Sequence, residues 1–229
     1  MTAKVYELSR LHDKSRVFRD RDDAGGELLK MLRPYYEKAE NTLVIAIPSG
    51  GVPVGLAVAQ GLDLGLDLII VRKIPIPGNT EAGFGAVTLE GEVFFNDELL
   101  KHLQLSKTQI KNQIATVKTD LSERNHIFRK DNPFPDLTDK TIIITDDGLA
   151  SGYTMLACVE TIRQKGAHKI AVAVPSAPRQ SISRISSGVE EIFCPNIRTG
   201  PSFAVAAAYE NWYDLDRNEV LTRLREAGH

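Results

Sequence analysis

Cysteine is scarce in this chain: among 229 residues only Cys158 and Cys194 occur, one in a stretch of helical spacing and one ending an apolar run. Two such thiols exclude a disulfide framework and a cysteine metal centre, and both are expected to be buried apolar groups. The five histidines are scattered without ligand spacing, which argues against zinc. No apolar run approaches the roughly 20 residues that cross a bilayer. The polar residues 1–23 lack the apolar core of a signal peptide, so a cytoplasmic location is expected. A formal charge of −2 leaves no general basic surface for nucleic acid, and small molecules are the expected partners. Internal repeats and low-complexity tracts are missing, and the length fits a single α/β domain, 1–229.

Three common site motifs are missing as well. A Walker A loop needs Gly, four residues, then Gly-Lys-Ser/Thr, and no such run occurs. Ser151 sits at a strand-to-helix turn, but Gly148 and Gly152 flank it at the wrong spacing for a nucleophile elbow. Gly83-Phe84-Gly85 lacks both the third glycine and the strand-to-helix setting of a dinucleotide fingerprint.

What is present is an alternation of short apolar runs with helix-length segments. Strands are expected at 43–47, 68–74, 141–145, 170–174 and 191–193, with crossover helices at 52–62, 155–165 and 179–186. This order predicts an α/β fold with a doubly wound, mostly parallel sheet. Residues 106–130 carry Ile110, Ile114, Val117 and Leu121 at helical spacing. They read as a helical arm packed on the core or on another subunit, which would make a homodimer, with the arm's lysines and Arg124 on a solvated face. Residues 131–139, with Pro133 and Pro135, are the loop that returns to the sheet.

The run from Ile142 to Met155 concentrates the chemistry. Ile142, Ile143 and Ile144 form a β-branched run apolar on both faces, as a buried parallel strand is. Asp146 and Asp147 therefore fall at the strand's carboxyl end, where ligands of open α/β sheets bind. Paired carboxylates suit a vicinal diol and can anchor a hydrated Mg²⁺. Gly148-Leu149-Ala150-Ser151-Gly152-Tyr153-Thr154 follows, a loop whose glycines let backbone N–H groups approach an anion and which opens a helix with its dipole facing the same point. An ordinary βα turn with a surface Asp pair is the competing reading of this junction alone.

Taken in order, that run resembles the 5-phosphoribosyl-1-pyrophosphate (PRPP) motif of the type I phosphoribosyltransferases. The resemblance implies that Asp146 and Asp147 contact the ribose hydroxyls and that Gly148 to Thr154 wrap the 5′-phosphate. Two positions depart from the pattern: Tyr153 replaces a small residue and Thr145 an aliphatic one. Pro48-Ser49-Gly50-Gly51 follows another expected strand and matches the family's pyrophosphate loop. Because a basic residue often stands where this chain has Ser49, pyrophosphate would lean on backbone N–H groups and the metal. Val71-Arg72-Lys73-Ile74 puts two cations at a strand end, either solvated or, as the resemblance implies, directed at pyrophosphate. The residues 75–86 read as a loop able to close over the site, with Glu81 a surface carboxylate or a contact to substrate or metal.

The similarity covers nearly the whole chain, including Arg19-Asp20-Arg21 before a helix, and points to an uncharacterised bacterial and archaeal branch of the family. It implies a small hood from 1–23 and 200–214 that selects the acceptor, where Phe203, Tyr209, Trp212 and Tyr213 either stack on a planar ring or belong to the core. The implied activity is pentosyl transfer, 5-phosphoribosyl from PRPP to an unidentified nitrogenous base with release of pyrophosphate. Asp146, Asp147, Arg72 and Lys73 would act at the reacting centre with Mg²⁺ as cofactor. A PRPP- or nucleotide-binding regulator and a ribose-phosphate hydrolase or phosphorylase are the alternatives, since fold alone does not choose.

Overall fold

A computed structural model describes residues 2–228, the side chains of 80–82 excepted; Glu81 lies outside the described side chains. In chain order the elements are β1 (Lys4–Tyr6), α1 (Arg21–Tyr36), β2 (Thr42–Ala46), α2 (Gly51–Leu62), β3 (Gly65–Leu68), β4 (Val71–Ile76), β5 (Asn79–Thr88) and β6 (Val93–Phe95). There follow α3 (Asp97–Leu103), α4 (Lys107–Arg129), β7 (Thr141–Thr145), α5 (Tyr153–Gln164), β8 (Lys169–Ala173) and β9 (Ser176–Pro178). The chain ends with α6 (Arg179–Ile185), β10 (Glu191–Phe193), β11 (Asn196–Arg198) and α7 (Arg217–Glu226).

Six parallel strands form the central sheet in the order β1-β10-β8-β7-β2-β3. Period-two alternation divides each strand between two cores. Ile143 of β7 joins Val44, Ala46 and Ala171 beneath α1, α2, α4 and α7. Its neighbours Ile142 and Ile144 join Ile45, Ile170 and Val172 beneath α5 and α6. Each buried Ile, Leu or Val side chain stabilises the fold by roughly 1.5–3 kcal/mol of transfer free energy. The apolar triplet is thus explained by a strand covered on both faces, and the sheet is doubly wound as the sequence predicts. Both cysteines are free and buried. Among the described residues no helix is long and apolar enough to cross a membrane.

Two expectations need correction. The apolar run 68–74 is not one strand of the sheet: β3 ends at Leu68, Ile69 donates its N–H to Ala46 O at 3.1 Å, and β4 then departs into a separate antiparallel sheet, β4-β5-β6. Ile69, Ile70 and Val71 are buried throughout, so hydropathy carries no mark of the break. The residues 75–86 are not a loop but the hairpin of β4 and β5. Gly78 has φ +80, the turn conformation that favours glycine. Gly83 and Gly85 sit within the strand because a Cβ there would come within 2.9 Å of Ile74 O and 2.4 Å of Phe94 O. What reads as a breaker is close backbone packing.

The arm is helix α4, opened by a capping box between Ser106 and Gln109 and closed by Lys130 in the left-handed conformation. Val117, Leu121 and Phe128 are buried in the core shared with α1 and α2, and Ile110 and Ile114 pack against it. Arg124 is not on the solvated face: its side chain is 14% exposed and pairs with Asp120 at 3.2 Å.

Candidate functional site

Asp146 and Asp147 follow directly on β7, at the carboxyl end of the sheet's middle strands. Beside them the chain leaving β2 turns through the cis Pro48–Ser49 bond into α2, whose first residue is Gly51. The two turns touch. A Cβ on Gly50 would lie 2.0 Å from Asp147 Oδ2, and one on Gly51 would lie 2.7 Å from Thr145 O and 2.9 Å from Asp146 Cα. Glycine is required at Gly51, where backbone atoms of Thr145 and Asp146 take the space of a side chain, whereas at Gly50 that space is filled by the movable Asp147 carboxylate.

The loop after the acids is held from outside. Leu149 buries its side chain in the core and spends its N–H on Ser176 O at 2.9 Å, so it has no backbone donor left for an anion. Ser181 donates to Ala150 O at 2.5 Å, and Arg184 to Ser151 O. Gly152 takes φ +85 immediately before α5. Tyr153 stacks against Arg184, 4.8 Å from guanidinium to ring centroid. Gly148 faces Val205, whose Cγ1 would stand 2.5 Å from a Cβ there. Ser151 is exposed and Thr154 half-buried. The first N–H groups of α5, as at any helix start, have no intrahelical acceptor and carry the positive end of its dipole.

Charge in the site is set by Arg21. This first residue of α1 is buried, donates from Nε to Asp147 Oδ2 at 2.8 Å and from Nη1 to Tyr213 O at 2.9 Å, and lies 4.0 Å over the Trp212 ring. Tyr209 donates its hydroxyl to Asp147 O at 2.6 Å. Burial and then the neighbouring Asp147 charge push the Asp146 carboxyl well above its ordinary range. Burial raises Asp147 as well, with Arg21 pulling the other way. Burial also pushes the Tyr209 phenol well up, so it stays a donor.

The structure therefore gathers Asp146, Asp147, Gly50, Gly51 and the 148–154 loop. It does not leave Arg72 free to face them: on β4, Arg72 pairs with Asp120 of α4 at 2.7 Å. Lys73, next on the strand, is exposed and lies along Gly83, whose Cβ would be 3.3 Å from that of Lys73. Of the four aromatics near the carboxyl terminus, Tyr209 is buried against Phe18 and Trp212, Phe203 is half-buried and Tyr213 is 50% exposed. The acid pair's partners Arg21, Tyr209 and Trp212 were not singled out as a group by the sequence. The capping signal Asp20, which accepts from Asp23 N–H at 2.9 Å, does mark the helix start that carries Arg21.

The sequence profile of the phosphoribosyl transferase domain matches residues 22–212. The chain belongs to this family. Two Mycobacterium tuberculosis proteins, from strains CDC 1551 and H37Rv, both provisionally named phosphoribosyl transferases, are 32% identical over 214 residues, 93% of this chain and 47% of each relative. The chain thus spans about half the length of the curated relatives it matches. The crystal structure of TT1426 from Thermus thermophilus superposes with a TM-score of 0.72 at 29% identity, covering 93% of this chain and 99% of that one. Within this phosphoribosyl transferase domain the acid pair and both glycine turns fall inside the matched residues, whereas Arg21 stands one position before them.

Proposed function

We propose that this chain transfers the 5-phosphoribosyl group of PRPP to a nitrogenous base and releases pyrophosphate. The observation that carries the reading is the amino terminus of α2 packed on an acid pair that the 148–154 loop joins to the amino terminus of α5, in a phosphoribosyl transferase domain. Two anion-favouring ends flanking two diol-favouring carboxylates match a molecule with phosphate at one end, pyrophosphate at the other and ribose hydroxyls between.

In this reading the 148–154 loop takes the 5′-phosphate, with donors from the start of α5 and the hydroxyls of Ser151 and Thr154. Each charge-assisted hydrogen bond contributes roughly 1.5–3 kcal/mol. Asp146 and Asp147 hold the ribose diol. The Ser49-Gly50-Gly51 turn receives pyrophosphate, although Gly51 spends its own N–H on Ile47 O at 3.0 Å; the β4 cations Arg72 and Lys73 are the expected source of positive charge, Arg72 by parting from Asp120. The segments 1–23 and 200–214 form the hood.

The carboxylates fit Mg²⁺ as a substrate-borne ion. Among the described residues no group of three or more His, Cys, Asp or Glu could cage a metal, and Mg²⁺ typically uses one or two carboxylates, waters and substrate phosphates. When bound, it would neutralise charge on the departing pyrophosphate. The chain's own contribution is positioning and electrostatics, with no covalent nucleophile required.

Calorimetric titration with PRPP, with and without Mg²⁺ and beside ribose 5-phosphate, tests the ligand, and pyrophosphate release in the presence of purine and pyrimidine bases tests the transfer. Saturable Mg²⁺-dependent binding and base-dependent release are expected. Release without any base would make water the acceptor, and no PRPP binding would reject the reading.

A further inference from the structure

Asp147 is gripped on three sides. Its Oδ2 lies where a Gly50 side chain would be, Arg21 Nε donates to that oxygen, and Tyr209 donates to its backbone carbonyl at 2.6 Å. Arg21 is a fork with its second prong on Tyr213 O, so the carboxylate and the 209–213 segment are held by one guanidinium. That guanidinium lies 4.0 Å from the Trp212 ring centroid, and Trp212 in turn packs on Tyr209 with ring centroids 5.2 Å apart. The circuit closes on itself: Asp147 to Arg21, Arg21 to Trp212, Trp212 to Tyr209, Tyr209 back to Asp147. Arg21 and Asp147 lie 126 positions apart in the chain, so no local folding requirement places them together.

The circuit also blocks something. A carboxylate filling the space at Gly50 stands beside the first turn of α2, where Gly51 and Val52 spend their N–H groups on Ile47 O at 3.0 Å and Ser49 O at 3.2 Å, so an anionic ligand approaching that turn meets the carboxylate first. An anion seated there must push the Asp147 carboxylate aside. Arg21 is tied to that carboxylate, and Trp212 lies under the guanidinium, so the displacement passes to the segment 209–213.

We propose that Arg21 is a positioning residue, setting the orientation of Asp147 against the Gly50–Gly51 turn and transmitting its displacement by ligand to the aromatic segment 209–213. This rests on the reading of the site as a PRPP site. Arg21 touches Asp147 and not the ligand. Its role depends on geometry as well as charge, because the planar fork spans Asp147 Oδ2 and Tyr213 O whereas a lysine ammonium is a single point.

Trp212 is the chain's single tryptophan, so its fluorescence reports on the guanidinium stacked over it. The experiment titrates Mg-PRPP into the wild type, Arg21→Gln and Arg21→Lys, reading calorimetric affinity and Trp212 emission together, with thermal melting recorded for each. The wild type is expected to bind with a change in emission. Arg21→Gln is expected to bind roughly tenfold more weakly, the equivalent of one charge-assisted hydrogen bond, and to lose the emission change. Arg21→Lys is expected to keep most of the deficit and to give no emission change either. Affinity within about twofold of wild type in a folded Arg21→Gln variant, full recovery in Arg21→Lys, or wild-type binding with no change at Trp212 would each overturn the proposal while leaving the PRPP reading in place. A wild type that does not bind Mg-PRPP at all rejects the PRPP reading, and the positioning role with it.

Discussion

Arg72 Nε lies 2.7 Å from Oδ2 of Asp120, joining the strand that leaves the parallel sheet to the long helix α4. The same carboxyl group takes Arg124 at 3.2 Å and Arg217 at 3.4 Å, so β4, α4 and α7 converge on one anion. Burial and the nearby Arg72 charge lower the Arg124 pKa, and its Nη1 has no hydrogen-bond partner among the described residues. Asp120→Asn leaves three guanidinium groups facing one another with Glu123 as the remaining acid, 3.7 Å from Arg217. A loss of about 2 kcal/mol is expected, less than for a fully buried pair because Arg72 and Arg217 reach solvent. The urea midpoint measures it, and an unchanged midpoint would show that solvent already screens the cluster.

Gly50→Ala places a methyl group 2.0 Å from the present position of Asp147 Oδ2. The carboxylate can swing away, so the variant is expected to fold, but with Asp147 displaced and the turn obstructed. Mg-PRPP affinity should fall roughly tenfold or more, about 1.4 kcal/mol for each decade. Calorimetry on the folded variant decides, and wild-type affinity would remove this turn from the site.

Tyr153 stands in the loop where the family pattern has a small residue. Its ring lies against Arg184 of α6. Tyr153→Ala removes a cation–π contact of about 0.5–1 kcal/mol and leaves the backbone donors in place. Melting temperature should drop slightly, with Mg-PRPP affinity changing by less than about threefold. A tenfold loss would place the ring in contact with the ligand.

The acid pair makes the ligand-free protein sensitive to pH in an unusual direction. Burial and the Asp147 charge raise Asp146 well above its ordinary value of 3.8. A carboxyl group that holds its proton more tightly when folded contributes stability that is complete below that ordinary value and is lost as pH rises through the raised one. Stability from this group therefore declines from the acid range towards neutrality. Asp146→Asn never ionises and should melt above the wild type near neutral pH, converging with it in acid, while Mg-PRPP binding is lost. Parallel melting curves across the range would show that burial does not penalise the charge.

The two strand-turn-helix junctions are legible in the sequence because everything that makes them is local. Ile142 to Ile144 must be covered on both faces, the acids must follow, and the glycines must begin the next helix. The circuit around Asp147 is not legible, since Arg21, Tyr209 and Trp212 arrive from opposite ends of the chain and no spacing links them. The β4–β5 hairpin hides behind Pro75, Pro77 and three glycines, residues that ordinarily interrupt strands and here permit backbones to pack closely. The strand β1 is hidden for another reason. Its three residues Lys-Val-Tyr are too few and too exposed to leave an apolar pattern, yet they extend the sheet beside β10.

That strand is one rim of the sheet, and β3 is the other. At β3 the outward backbone groups of Leu68 are already taken: its N–H donates to Asp67 Oδ1 at 2.6 Å, and Arg129 donates to its carbonyl at 2.5 Å. At β1, Lys4 and Tyr6 turn their backbone groups inward to Glu190 and Cys194, which leaves only Val5 within the strand to pair outward. One rim is covered by side chains at Leu68 and the other is a single residue wide. The two rims of the central sheet therefore present little template for strand addition, which guards this sheet against edge-to-edge pairing.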